Sequence, residues 1–301
     1  LNKSDTRELP PRYTVRQNTV QLAADTPLRT QVLQVPRDVP PHDHDYYEIC
    51  IVTGGRATHQ TEQYDAVAPR GTVIVVPPGE VHAFADVRNF AVINVYYLTE
   101  WLLADLRRFW DEEGLVPLFL AHSLFRLERG SIPQFDLTRE ELDLCQGELR
   151  DIAAETASGR CSRMYLRAAF VKFLILLSRA FARQSAPDAA FRFRPQVWKA
   201  LQYVERAVME SEPFSVQALS AELNTSPDHT TRLFKSATGF PPMEYFQQRR
   251  VQHAGLLLLN PQTRITEVAY ALGYADAAHL SRMFRRYRGI SPRQYRSMYV
   301  K

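Results

Sequence analysis

Six positions in the last third of the chain recur at one fixed offset of 50 residues: Arg232 with Arg282, Phe234 with Phe284, Lys235 with Arg285, Gly239 with Gly289, Pro242 with Pro292 and Tyr245 with Tyr295. Such a repeat restricts the fold, because the local structure one copy adopts must also suit the other. Upstream the register slips by one residue, Leu219-Ser220 aligning with Val268-Ala269, so the second copy has the longer turn. The punctuation is helical. VQALSAEL leads through Asn224-Thr225 to Ser226, an N-cap residue, and Pro227, suited to the first helical position, which opens DHTTRLFKSATG. ITEVAYAL leads through Gly273-Tyr274 to Asp276, a second N-cap, and then AAHLSRMFRRYRG. Each copy is predicted to be helix, short turn, helix, at about 214–239 and 264–289.

On the second helix of each copy, Leu233 and Phe234, or Leu280, Met283 and Phe284, form an inward stripe. The opposite face carries Asp228, Thr231 and Arg232 in the first copy and Ala277, Ala278, His279 and Arg282 in the second. These are early, outward positions of the kind that enter a DNA major groove in a helix-turn-helix. Arg232 and Arg282 can each donate a bidentate pair to guanine O6 and N7. Lys235, Arg285, Arg286 and Arg288 are placed to meet phosphates, which add affinity without sequence information. Between the copies a continuous helix is predicted from Pro242 to Leu259, about 18 residues and about 27 Å long. A rigid connector of that length can hold two recognition helices on successive major-groove segments, one DNA turn being about 34 Å.

The charge of the chain agrees once it is divided. The formal net charge is only +4 over 301 residues. Residues 1–190 hold 21 basic and 25 acidic side chains, whereas residues 191–301 hold 16 and 8. A small basic domain beside an acidic one suggests a polyanion-binding module joined to something else. The boundary falls at 185–195, where QSAPDAAFRFRP interrupts helical patterning, leaving 196–301 as the DNA-binding domain. The most apolar stretch, Met164 to Leu177, is interrupted by Arg167 and Lys172 and is too short for a bilayer span of about 20 residues. No membrane role is expected. Cys50, Cys145 and Cys161 form neither a CxxC pair nor a tight framework, and LNKSDTRELPPRY lacks the apolar stretch of a signal peptide. A reducing, cytoplasmic location is expected.

Residues 1–100 read as a β-barrel or sandwich: TQVLQV, YYEICIV, GTVIVVP and FAVINVYYL alternate with Gly and Pro turns. Residues 101–184 change to helical patterning, with Thr138 and Glu141 composing a capping box before two long helices. The second, about Ser162 to Arg183, aligns Leu166, Phe170, Phe173, Leu174, Leu177 and Phe181. That face either covers the barrel or meets its twin in a dimer. The overall expectation is an α+β multidomain chain: barrel, helical pair, and an all-α doubled helix-turn-helix.

Within the barrel, PHDHDYYEICIVTGG places His42, His44 and Glu48 at equal parity, so on one extended strand they share a face. GTVIVVPPGEVH adds His82 after a turn. Three imidazoles and a carboxylate suit a divalent transition ion such as Zn, Ni, Fe or Mn. The spacing, HxHxxxE with Gly55 following and then GxxxxxPxGxxH from Gly71 to His82, resembles the cupin family, with Asp86 where Asn is usual. A metal-free barrel whose histidines bond a polar ligand is the other reading. Tyr46, His59, Tyr64, Asn94 and Tyr96 are candidate effector contacts.

The stretch from Leu219 to Arg296, above all RITEVAYALGYADAAHLSRMFRRYRGISPRQYR, resembles the signature of the AraC/XylS transcription regulators. The order of cupin, helical pair and doubled helix-turn-helix resembles the sugar-responsive members, and HDHDYYEICIV and PPGEVHAFADV are similar to the rhamnose-operon regulators. The resemblance implies a homodimer on double-stranded promoter DNA, a small effector, expected to be a sugar, in the cupin pocket, and contact with RNA polymerase. One departure is Thr230, where Leu is usual and where Leu280 sits in the second copy; it implies looser packing or weaker reading in the first unit. The alternative is a metal-dependent cupin enzyme acting on a sugar, with an appended DNA-binding domain. No catalytic residue is assigned, because no positioned acid or base beyond the ligand set is legible.

Overall fold

The computed structural model describes residues 9, 13–17, 19–22, 26–103, 115–120, 132–158, 161–184 and 195–299. The expected linker at 185–195 lies outside them except for Pro195, which opens a helix. Strands β1 (Tyr13–Val15), β2 (Leu28–Val35), β3 (Val39–His44), β4 (Tyr47–Thr61), β5 (Asp65–Pro69), β6 (Thr72–Val76), β7 (His82–Tyr97) and β8 (Gln134–Asp136) form one sheet ordered β1-β3-β7-β4-β6-β8. β2 also pairs with β7, and β5 with β4. The long strands β4 and β7 run antiparallel from Tyr47 opposite Tyr97 to Thr61 opposite His82, with register breaks around Gly54 and Arg56. Breaks of this kind bend a ladder and increase its twist. Each long strand therefore serves two sets of neighbours: β7 pairs with β2 through its second half and with β3 through its first. Gly55 makes the corner, with φ of +65°, and a Cβ there would lie 2.1 Å from the Asn89 carbonyl oxygen.

Two expectations need correction. His42, His44 and Glu48 do not share one strand, because the chain bends at Asp45 and Tyr46, ending β3 and starting β4. The segment 101–184 is not purely helical either: β8 adds to β6, Thr72 standing opposite Asp136.

Helices α1 (Thr99–Leu103), α2 (Leu115–Phe119), α3 (Arg139–Ala157) and α4 (Arg163–Gln184) follow the sheet. Thr138 and Glu141 close the expected capping box on α3. Leu166, Phe170, Phe173, Leu174 and Leu177 on α4 are buried within this one chain. Phe170 lies 5.2 Å from the Tyr97 ring and 5.6 Å from that of Trp101, and Phe181 lies 5.4 Å from Phe135 of β8. The apolar face of α4 thus covers the sheet, and of its two readings this is the one the packing supports.

The basic domain is α5 (Pro195–Met209), α6 (Val216–Glu222), α7 (Pro227–Thr238), α8 (Pro242–Leu258), α9 (Ile265–Ala271), α10 (Ala277–Arg288) and α11 (Pro292–Tyr299). Three of the matched pairs have a visible packing or backbone cause. Phe234 meets Tyr245 edge to face at 5.2 Å, and Phe284 meets Tyr295 in the same way at 5.2 Å. Gly239 and Gly289 end α7 and α10 in the left-handed conformation, φ +80° and +74°. Ser226 and Asp276 each accept the backbone N–H three residues on, from His229 and His279. The slipped register lies between the left-handed turn residues Asn224 and Gly273 and these caps. Thr230 does not loosen its unit as its departure implied: it is fully buried, and its hydroxyl is 2.6 Å from that of Thr225.

Two stability outcomes follow from these contacts. Gly55→Ala is expected to cost about 3 kcal/mol, measured by denaturant unfolding, since both the dihedral and the Asn89 carbonyl oppose a side chain. Thr225→Val leaves the buried Thr230 hydroxyl without its partner and should cost about 1 to 3 kcal/mol, most of it recovered in the double variant with Thr230→Val. An unaltered midpoint in the single variant would refute the pairing.

Candidate effector pocket and nucleic-acid interface

The sequence sets His59 and His82 far from the His42-His44 pair, and the sheet gathers all four. His42 stands directly opposite His82 across β3 and β7, their rings 4.4 Å apart. His44 lies 5.5 Å and His59 5.7 Å from the His82 ring. Glu48 on β4 brings its carboxylate to 3.9 Å from His44 Nε2. All five side chains are buried. Burial lowers the pKa of His42 and His82 and pushes His44 and His59 down to about 4, so all four rings are neutral near pH 7. The same desolvation pushes Glu48 up to about 8.

Neutral imidazoles have one donor and one acceptor nitrogen, and the surrounding carbonyls decide which. His42 Nδ1 donates to the Pro40 carbonyl at 3.0 Å, and His44 Nδ1 to the Tyr46 carbonyl at 2.7 Å. His59 Nδ1 lies 3.1 Å from Gln134 Oε1, whose amide is oriented by Nε2 donating to the Val67 carbonyl. Each Nε2 is therefore left with its lone pair. Among the described residues, His44 Nε2, His59 Nε2, both His82 nitrogens and Asn94 Oδ1 are buried without a hydrogen-bond partner. Such atoms call for a ligand, water or ion. In kind they fit a divalent transition ion, and hydrogen bonds from the far ring nitrogen are what orient such ligands. As they lie, no three His, Cys, Asp or Glu side chains among the described residues form a group that could hold a metal ion. Loading would require their side chains to turn.

The candidate effector contacts divide. Asn94 Nδ2 donates to Glu48 Oε1 and to the Tyr96 hydroxyl, both at 3.1 Å, and the Tyr96 hydroxyl donates to Gln31 Oε1 at 3.4 Å. Tyr46 stacks on His44 at 4.7 Å and meets Tyr96 edge-on at 5.4 Å. These three sit with the histidine cluster. Tyr64 reaches the cluster through His59, meeting its ring edge-on at 5.8 Å, and donates its hydroxyl to the Ile132 carbonyl at 2.6 Å, tying the β4–β5 turn to the approach of β8. Sequence reasoning missed Gln31, Gln134 and Tyr13. Tyr13 stacks on His42 at 5.3 Å because β1 joins β3 in parallel.

In the basic domain, Asp228, Arg232 and Lys235 on α7 and Ala278, Arg282, Arg285 and Arg286 on α10 are exposed, and Thr231, Ala277 and His279 are half-buried. Three of these side chains have local contacts: Thr231 Oγ1 donates to the Pro227 carbonyl at 2.8 Å, His279 meets Tyr274 edge-on at 5.3 Å, and the Arg286 guanidinium lies 5.7 Å from the Tyr287 ring. Connector α8 runs 17 residues, about 25 Å, ending one residue before the sequence expectation. Two exposed basic helices carried by one straight helix can lie along one face of a duplex.

Residues 219–298 match a helix-turn-helix domain family and residues 35–158 the AraC-like ligand binding domain. The chain is 27% identical over 266 residues to the HTH-type transcriptional activator RhaS of Escherichia coli O1:K1 / APEC, covering 86% of this chain and 88% of that protein. Against RhaS of Escherichia coli strain SE11 the identity is 26% over 271 residues, with the same coverage. Among solved structures, ToxT from Vibrio cholerae O395 is 12% identical, covering 91% of this chain and 98% of that one at a TM-score of 0.42. The C-terminal domain of AraT, a response regulator from Geobacillus stearothermophilus, is 30% identical, covering 36% of this chain and 88% of that one at a TM-score of 0.34. With its AraC-like ligand-binding domain and its helix-turn-helix domain, the chain is an AraC-type DNA-binding transcription regulator.

Proposed function

We propose that this regulator answers to an uncharged, polyhydroxylated effector, a sugar, bound beside the histidine cluster, and that it acts as a cytoplasmic homodimer on promoter DNA in contact with RNA polymerase. The observation that carries the effector class is the excess of buried acceptors. His59 Nε2 and Asn94 Oδ1 present lone pairs, and among the described residues gathered there none is a lysine or arginine. Hydroxyl groups satisfy such acceptors by donating to them, which a carboxylate or phosphate cannot do. Tyr46 and Tyr96 supply the flat apolar surface on which a sugar ring's C–H face can lie. The similarity to RhaS supports the same class.

A divalent transition ion is part of the proposal, with His42, His44, Glu48 and His82 as its holders. Bound there, it would supply Lewis acidity and positive charge to polarise an effector oxygen. His42 and His44 keep their Nε2 lone pairs available by spending Nδ1 on backbone carbonyls, and Asn94 orients the Glu48 carboxyl. The reading is regulatory rather than enzymatic, since the chain's relatives are transcription activators.

Effector and metal are tested together by thermal melting of the full chain. Neutral sugars should raise the midpoint by linkage and sugar acids should not; His44→Ala should abolish the shift, and prior chelation should shrink it. A shift with sugar acids alone would overturn the effector class, and an undiminished shift in chelator would overturn the ion's role. On the DNA side, Arg282→Ala is expected to cost about 1 to 3 kcal/mol and relax discrimination at one base pair, read by binding to operator and scrambled duplexes. Arg285→Ala should weaken binding to both equally and lower the salt slope by about 1.

A further inference from the structure

Two neighbouring arginines on connector α8 reach in different directions. Arg249 turns back into the first unit, where it donates to both oxygens of Glu205 on α5, at 2.6 and 2.9 Å. Arg250 turns forward into the second. Its Nε donates to the Leu272 carbonyl at 3.0 Å, its Nη2 donates to the same oxygen, and its guanidinium lies 4.0 Å over the Tyr274 ring. Leu272 is the C-cap of α9, so this carbonyl is one of those a helix end leaves unsatisfied, at the negative end of the helix dipole. The base of Arg250 remains in the first unit, its guanidinium 5.3 Å from Phe246, which stacks on Phe214 at 4.8 Å. A second tie reaches the same turn from the end of α5: Ser211 Oγ donates to the Ala271 carbonyl at 2.6 Å.

The first turn lacks any such bridge among the described residues. There the carbonyl of Glu222, the counterpart of Ala271, is met by Lys199 of α5, within the same unit. The two units are thus joined asymmetrically, the first holding the turn of the second.

We propose that Arg250, assisted by Ser211, is a positioning residue for DNA reading: it latches the second helix-turn-helix to the connector and thereby fixes the base-pair interval between the two recognition helices. Arg250 need touch no DNA to do this. The α9–α10 turn sets where α10 points, and a helix of about 25 Å magnifies any rocking at its end into a shift along the groove. An interval held by one covalent helix alone would still permit that rocking.

The experiment selects binding sites from random-sequence duplex DNA with the full chain. The unaltered protein should return two base-specific blocks at one interval. Arg250→Leu should return both blocks with the interval spread over neighbouring base pairs, bind the preferred site about tenfold more weakly, and keep the salt slope unchanged. Ser211→Ala, an exposed and mild change, should spread the interval less and in the same manner. A single sharp interval with both variants overturns the proposal. Should Arg250→Leu lose the second block altogether, the Ser211→Ala selection decides: a spread interval supports the latch, and a sharp one shows that Arg250 serves only to fold the second unit.

Discussion

The ion pair between Glu205 and Arg249 is the contact around which the basic domain is organised. Its side chains are 0% and 3% exposed, and charges so far from water are tolerated only when every polar atom is answered. Here they are: Arg249 covers both carboxylate oxygens, and the Tyr245 hydroxyl adds a third donor at 2.9 Å. Tyr245 is also the ring that packs on Phe234 of the first recognition helix. One buried cluster therefore sets α5, α7 and α8 relative to each other. The direction of α8 then sets everything C-terminal to it, because the second unit hangs on that helix through Arg250 and Arg296, the latter donating to the Leu258 carbonyl at 3.2 Å.

How much of this the sequence discloses depends on whether the interaction is local. Caps, left-handed glycines and ring pairs are written at fixed short offsets, so the repeat marks their positions; the caps Ser226 and Asp276 stand where expected, and the structure supplies the reason for the repeated glycines and rings. The latch is hidden for the opposite reason. Arg250, Ser211 and Arg296 act on backbone carbonyls, which every residue possesses, so no complementary residue type marks the partner. Thr230 shows the same limit. Its oddity is visible, but the hydroxyl that answers it, on Thr225, matters only because the turn folds back over the helix.

The pocket is a mixed case. Residue types identified the four candidate ligands, yet the argument from strand parity was mistaken in its geometry. The chain corner at Asp45 and Tyr46 puts His44 and Glu48 on different strands, both of which pair with β7. His82 pairs across to His42, while Glu48 lies opposite Tyr96 on the same long strand. Gln134 was illegible because it belongs to β8, a three-residue strand inside a helical segment.

The sensor's wall is not isolated from the reading domain. Tyr46, Tyr96 and Leu98 belong to one apolar cluster with Val251, Ala254 and Leu258 of α8, and α1, which begins just after Leu98, lies against α8. Interiors packed at crystal-like density transmit displacement rather than absorb it. A ligand that engages the Tyr96 hydroxyl must compete with Gln31 and Asn94 for it, and so acts on a ring whose packing continues toward the connector. Whatever free energy the ligand contributes differentially to two arrangements of that cluster is the most it can contribute to choosing between them. The connector is where such a choice would be read most directly, since its direction determines where both recognition helices stand.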